Sequence, residues 1–142
     1  MANPMKHSLS SVKRWKGKVE DYLPIHELLD SPKQSMNDNR SRALTHNTWF
    51  IYNVIPKVFG YNIKNSDGIE VDTVDIAMLH VLEDFRFKFI PTPQDYLKTI
   101  KLENWMNNGA DKKENLPCVT STFKKYIVKF KKNLNLLTTN IT

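Results

Sequence analysis

Residues 74–91 read VDIAMLHVLEDFRFKFIP. At 100° per residue, Ala77, Met78, Val81, Leu82, Phe85 and Phe89 gather on one face and Pro91 closes the run, so the spacing predicts an amphipathic helix from Val74 to just before the proline. His80 and Asp84 stand one turn apart at an edge of that apolar face, where a polar cleft between packed helices would be lined. A helix of this kind must bury its stripe against other elements, and the neighbouring sequence supplies them.

Upstream, Lys6 to Lys16 reads as a short helix stopped by Gly17, and Glu20 to Asp30 as a second one that tolerates Pro24 near its first turn. Ser31-Pro32 then opens a long helix from about Lys33 to Phe59, with Met36, Ala43, Leu44, Phe50, Ile51, Val54 and Val58 on one face and a kink or end near Pro56. The period changes in YNIKNSDGIEVD: Tyr61 to Lys64 and Ile69 to Asp72 are extended runs joined by Asn65-Ser66-Asp67-Gly68, the pattern of a β-hairpin. After Pro91, TPQDYLKTI starts another short helix with Thr92 as its cap. A polar linker runs from Asn107 to Pro117. Beyond it Phe123, Tyr126, Ile127, Phe130, Leu134 and Leu137 keep helical spacing, with lysines on the other faces. The expected architecture is mainly α: a single compact helical domain over residues 1–106 with one small β-hairpin near residues 61–72, then a linker and a basic amphipathic C-terminal helix over 107–142.

A chain of 142 residues can bury a real core without staples, and the lone Cys118 can form no intramolecular disulfide. No apolar run approaches eighteen residues, and MANPMKHSLSSVKRW lacks the apolar centre of a secretory signal, so the expected setting is intracellular, in a host cytoplasm or a virion. The formal charge of +6 is unevenly placed: residues 1–100 hold 13 basic and 12 acidic side chains, whereas 101–142 hold 8 and 3. The tail therefore carries the basicity, and Lys124, Lys125, Lys129, Lys131 and Lys132 are the candidate contacts to nucleic acid or a viral protein partner, by phosphate attraction rather than base reading. Their competing reading is a solvated face on a helix whose aromatics pack inward. Trp15, Trp49 and Trp105 are expected as core anchors, with Trp49 off the main apolar face of its helix and suited to a second layer or interface.

Three His stand in helical segments with charged partners one turn away: His26 with Asp30, His46 with Arg42 and, earlier, Asp38, and His80 with Asp84. Imidazoles with carboxylates suit Zn, Fe or Mn, and helix-borne ligands at such spacings build metal sites in helical bundles. The concrete expectation is a divalent metal on His26, His46, His80 and Asp84, with Asp30 and Asp38 orienting imidazole N–H groups and Arg42 holding a phosphate or carboxylate. An open coordination position would make such a site hydrolytic. The rival reading has each Asp accepting from its own i,i+4 His and Asp38 pairing with Arg42, a satisfied network that fixes helix packing without chemistry. His7 reads as a surface or N-terminal packing residue, with a ligand role as the alternative. Nucleophilic catalysis finds no support: Ser8, Ser10, Ser31 and Ser35 lie in helix-start contexts without a GxSxG turn, and Cys118 has no His near it in sequence.

The segments SSVKRWKGKVEDYLPIHELLD, DNRSRALTHN, NSDG and HVLEDFRFKFIPTPQDYL, in this order from about His7 to Met106, resemble a family of small uncharacterised phage and bacterial proteins known only as a domain of unknown function. The resemblance implies a phage or viral setting, in keeping with the abundance of Lys and Asn, whose codons are AT-rich, and it implies no reaction. It also implies a basic residue and a further His after Arg42-Ala43-Leu44, where this chain has Thr45 before His46 and Asn47 after it. The functional expectation is a His/Asp/Arg cleft that binds metal and hydrolyses a phosphate-containing small molecule. Its alternative is a non-catalytic virion or host-takeover protein acting through the basic tail.

Overall fold

The computed structural model describes residues 3–36 and 38–97. All of them fall in the compact unit Met1–Ile100. The expected C-terminal helix, its five lysines, Trp105 and Cys118 lie outside the described residues. Among those described, the structure is mainly helical: α1 (Pro4–Trp15), α2 (Val19–Asp30), α3 (Arg42–Thr45), α4 (Ile55–Phe59), then strands β1 (Asn62–Lys64) and β2 (Glu70–Asp72), α5 (Thr73–Asp84) and α6 (Pro93–Tyr96). No helix among the described residues is long and apolar enough to cross a membrane.

The first two helices begin where local chemistry starts them. Asn3 accepts a hydrogen bond from the Lys6 amide and Pro4 fills the first helical position, where its missing N–H costs nothing. Asp21 accepts from the Lys18 amide at the head of α2. Pro24 stands sixth in α2 rather than in its first turn and has no N–H to offer the carbonyl of Glu20, an exposed residue. The turn between α1 and α2 is locked to the hairpin loop: Asn65 donates to the Trp15 carbonyl and the Tyr22 hydroxyl, and Asp21 accepts from the Ser66 amide and hydroxyl. Gly17 makes this approach possible, with φ of +75° and an added Cβ only 2.5 Å from Asp21 Oδ2 and 2.9 Å from Asn65 Cβ. The hairpin forms as its sequence indicates, antiparallel with Ile63 opposite Val71.

The central element is α5, against which α1, α2 and α4 pack. It is buried nearly all round, Ile76, Ala77, Met78, Leu79, Val81 and Leu82 forming the core with Tyr22, Ile25 and Leu29 of α2 and Ile51 and Ile55. His80, expected at the edge of an apolar stripe, is therefore fully buried. The helix also stops short of Pro91. Phe85 closes it, Arg86 and Phe87 take positive φ of 54° and 57°, and the Phe87 amide reaches back to the Leu82 carbonyl at 2.7 Å. Phe89 is consequently half exposed instead of lying on the core face.

The long helix predicted over 33–59 does not form. Short 3₁₀ turns at Ser31–Gln34 and Asn39–Ser41 lead into α3, which ends at Thr45; His46 leaves helical geometry at φ −91° and ψ 59°. Asn47 divides the two helices. Its Nδ2 donates to the Ala43 carbonyl at the end of α3, and its Oδ1 caps the following helix at the Phe50 amide. That helix passes through a widened π turn, Phe50–Val54, which shifts the carbonyls ahead of Pro56, whose ring would otherwise strike the one four residues back. The break rotates the apolar face, so Ile51 and Ile55 are buried whereas Leu44 and Val58 are exposed. Trp49, too, is exposed and anchors no core.

Candidate metal centre

Three parts of the fold deliver four side chains to one buried point. Asp30 is the last residue of α2, His46 is the corner after α3, and His80 and Asp84 are one turn apart on α5. One donor atom from each lies within 4.8 Å of all the others. His46 Nε2 is 2.9 Å from Asp84 Oδ2 and 3.9 Å from Asp30 Oδ1, while His80 Nε2 is 3.5 Å from Asp30 Oδ1 and 3.9 Å from Asp84 Oδ2. Donors held at about 2.1 Å from one ion are about 3.0 Å apart at a right angle, about 3.4 Å in a tetrahedron and about 4.2 Å across the ion, so the four His–Asp separations lie close to those of a single centre.

A hydrogen-bond partner stands behind each ring. Thr45 Oγ1 donates to the Leu29 carbonyl at 2.6 Å and lies 2.9 Å from His46 Nδ1, which leaves His46 Nε2 facing the Asp84 carboxylate at 2.9 Å. Behind His80 the chain continues: Ser11 Oγ lies 2.8 Å from His26 Nε2, and His26 Nδ1 lies 2.9 Å from His80 Nδ1. His80 Nε2 faces two carboxylates and is buried without a hydrogen bond, as is Asp30 Oδ2. Each imidazole thus has its rear nitrogen fixed by a partner, the arrangement that orients metal-binding histidines.

Electrostatics separates the four His. Burial opposes a charge on His7, but Asp84 and Glu83 outweigh it and raise its pKa to about 9. The His7 imidazolium stacks on His80 with ring centroids 3.8 Å apart, its Nε2 3.3 Å from Asp84 Oδ1 and its Nδ1 on Glu83. Burial and the repulsion of His80 and His7 push His26 down to about 2; burial, with His7 and His46, takes His80 to about 4 against the pull of Asp30. Both are neutral at physiological pH. Burial works against ionised Asp84, yet its hydrogen bonds to His46 and His7 hold it well below the usual carboxylate range. The same opposition, won by His80 and Lys33, lowers Asp30.

The sequence-derived residues are redistributed. His46, His80 and Asp84 converge, but Asp30 sits with them and His26 stands behind His80. Arg42 Nε is 3.6 Å from Asp84 Oδ2, and its guanidinium lies over the Phe85 ring. Asp38 stays away from the group: it is exposed, caps Asn39–Ser41 and pairs with Arg40 at 2.6 Å. Pairing within each helix is not what organises the cluster, since His80 and Asp84 are 3.9 Å apart and the short contacts run between helices. His7 is fully buried in the group rather than at the surface. Its signal was present as the i,i+4 pair His7–Ser11 on a helix whose buried face is polar. Thr45 and Tyr96 carried no signal; Tyr96 donates to the His46 carbonyl at 3.0 Å and so pins the corner from fifty residues away.

A family model described as a domain of unknown function, DUF6915, matches residues 2–106. The chain belongs to this family. Every residue of the cluster lies within the matched span, so the family domain contains the whole site. No curated protein and no solved structure matches the chain.

Proposed function

We propose that this family domain binds one divalent metal ion through Asp30, His46, His80 and Asp84, and uses it to hydrolyse small phosphate-containing molecules. The observation that carries the reading is the convergence of one donor atom from each of these side chains within 4.8 Å of the others, with His80 Nε2 buried and without a hydrogen bond 3.5 Å from Asp30 Oδ1. Such groups are costly to bury and are relieved by a cation. When bound, the ion supplies Lewis acidity and lowers the pKa of a water molecule it holds. Six-coordinate Mn²⁺ or Fe²⁺ would leave two positions for water and substrate, whereas the four residues fill a tetrahedral Zn²⁺. Arg42, beside Asp84, is placed to pair with an anionic substrate.

The test is metal analysis and thermal unfolding of protein prepared without a His-tag. Addition of Mn²⁺ or Fe²⁺ should raise the Tm, by about 4 kcal/mol in stability at a thousandfold excess over Kd. Asp84→Asn should abolish the shift. Metal-loaded protein should cleave 4-nitrophenyl phosphate and lose that activity in a chelator. Protein that stays folded and unchanged on addition of Zn²⁺, Mn²⁺ and Fe²⁺ would refute the proposal.

A further inference from the structure

A cleft of about 730 Å³ opens beside the cluster, and Asp30 is the metal-site residue in its wall. Lys33, Ser31 and the exposed Glu27 line it with Asp30, and Val58 and Phe59 of α4 line it as well. The size is that of a pocket for a small organic molecule. It also accounts for an exposed Val58, which otherwise has no partner in the core.

Lys33 is the informative residue. Its Nζ is 2.5 Å from Asp30 Oδ1, and its side chain is 30% exposed against 5% for Asp30, so a solvent-accessible ammonium holds a buried carboxylate oxygen in the cleft wall. An ion bound to Asp30 would compete directly for the oxygen that Lys33 holds. A divalent ion on Asp30 takes the carboxylate that Lys33 now holds and frees the ammonium to swing into the cleft. The loaded site then offers an anionic head two cations, the ion and Lys33, with Val58 and the Phe59 ring in the same cleft wall. Glu27 lies in solvent on the cleft wall, where its charge is screened.

We propose that this cleft binds a phosphate monoester with an aromatic body, its phosphate between the metal and the Lys33 released from Asp30, and its ring against Phe59. The inference rests on the metal reading above and deepens it by naming the ligand class and the residue that admits it. Lys33 is a competitor of the metal in the empty protein and a ligand of the anion in the loaded one.

Titration calorimetry on the full chain tests this, with Mn²⁺ first and then phenylphosphonate, which offers the same head and ring without a hydrolysable ester. Lys33→Met should take up Mn²⁺ at least as tightly as wild type and bind phenylphosphonate at least tenfold more weakly. Phe59→Ala should weaken phenylphosphonate several-fold and leave inorganic phosphate unchanged. Mn²⁺ uptake with phenylphosphonate affinity unaltered by Lys33→Met, or unaltered by omitting the metal, would overturn this proposal and leave the metal centre standing. Inorganic phosphate bound as tightly as phenylphosphonate would overturn the aromatic part. Wild-type protein that takes up no metal would overturn both readings together.

Discussion

Stability should peak near pH 7 and fall on both sides, for reasons that trace to three buried imidazoles. His7 has its pKa raised from 6.5 to about 9, so its contribution is complete below pH 6.5 and is lost as pH rises through 9. At about 1.4 kcal/mol per pH unit this amounts to about 3 kcal/mol, and nearer 2 once screening through the partly exposed Glu83 is allowed for. His26 and His80 run the other way. Their pKa values of about 2 and about 4 mean that the unfolded chain takes up protons first, so stability falls as pH drops below 6.5, by about 2 kcal/mol for each at pH 5. Together they remove about 4 kcal/mol by pH 5, which brings a domain at the lower end of the ordinary range, about 5 kcal/mol, close to acid unfolding. Urea denaturation of the metal-free protein from pH 4.5 to 10 measures both limbs, and the His7 ring resonances report its own titration by NMR. Glu83→Gln removes one of the two anionic partners and should shift the alkaline limb toward neutral pH while leaving the acid limb in place. A stability curve flat between pH 7 and 9.5, or a His7 that titrates below 7, would refute the argument.

Gly17→Ala should cost about 2–3 kcal/mol, because a positive φ and contacts of 2.5 and 2.9 Å force the α1–α2 turn away from Asp21 and Asn65; an unchanged midpoint in thermal unfolding would show the hairpin loop to be loosely held. Asn47→Ala should lose about 1–2 kcal/mol by uncapping the helix at Phe50 and freeing the Ala43 carbonyl, and the His46 resonances should broaden or shift as its corner loosens. Asn47→Asp, which keeps the cap but not the donation to Ala43, should recover part of that loss.

How much of this was legible depended on whether the signal was local. The hairpin was, because Asp67-Gly68 between two extended runs specifies a turn within a few residues. The mainly helical class and the α1 and α2 segments were too, Gly17 marking the stop between them, although α1 starts at Pro4, two residues before the expected Lys6. The break in the middle was not: Asn47 looks like any polar residue on a helix, and only its two simultaneous hydrogen bonds make it a divider. The early end of α5 had no glycine to announce it, for Arg86 and Phe87 adopt conformations that side chains disfavour. Within the candidate site, the i,i+4 pattern picked out His46, His80 and Asp84, which the fold brings together with Asp30, whereas His26 stands behind His80. Spacing says which positions share a face; it does not say that the neighbouring helix will meet the carboxylate rather than the ring. His7 was missed because a buried face of His7, Ser8 and Ser11 lacks any apolar period.

The contact between His7 and Glu83 joins positions 76 residues apart, and His26 meets His80 across 54. Only His80 and Asp84 come from one helix, so the cluster closes only when α5 meets the earlier elements. As the chain leaves the ribosome, the rings of α1 and α2 lack their partners on α5 until that helix arrives. The protonation of a single ring, His7, therefore registers the integrity of the described fold from its first helix to its fifth.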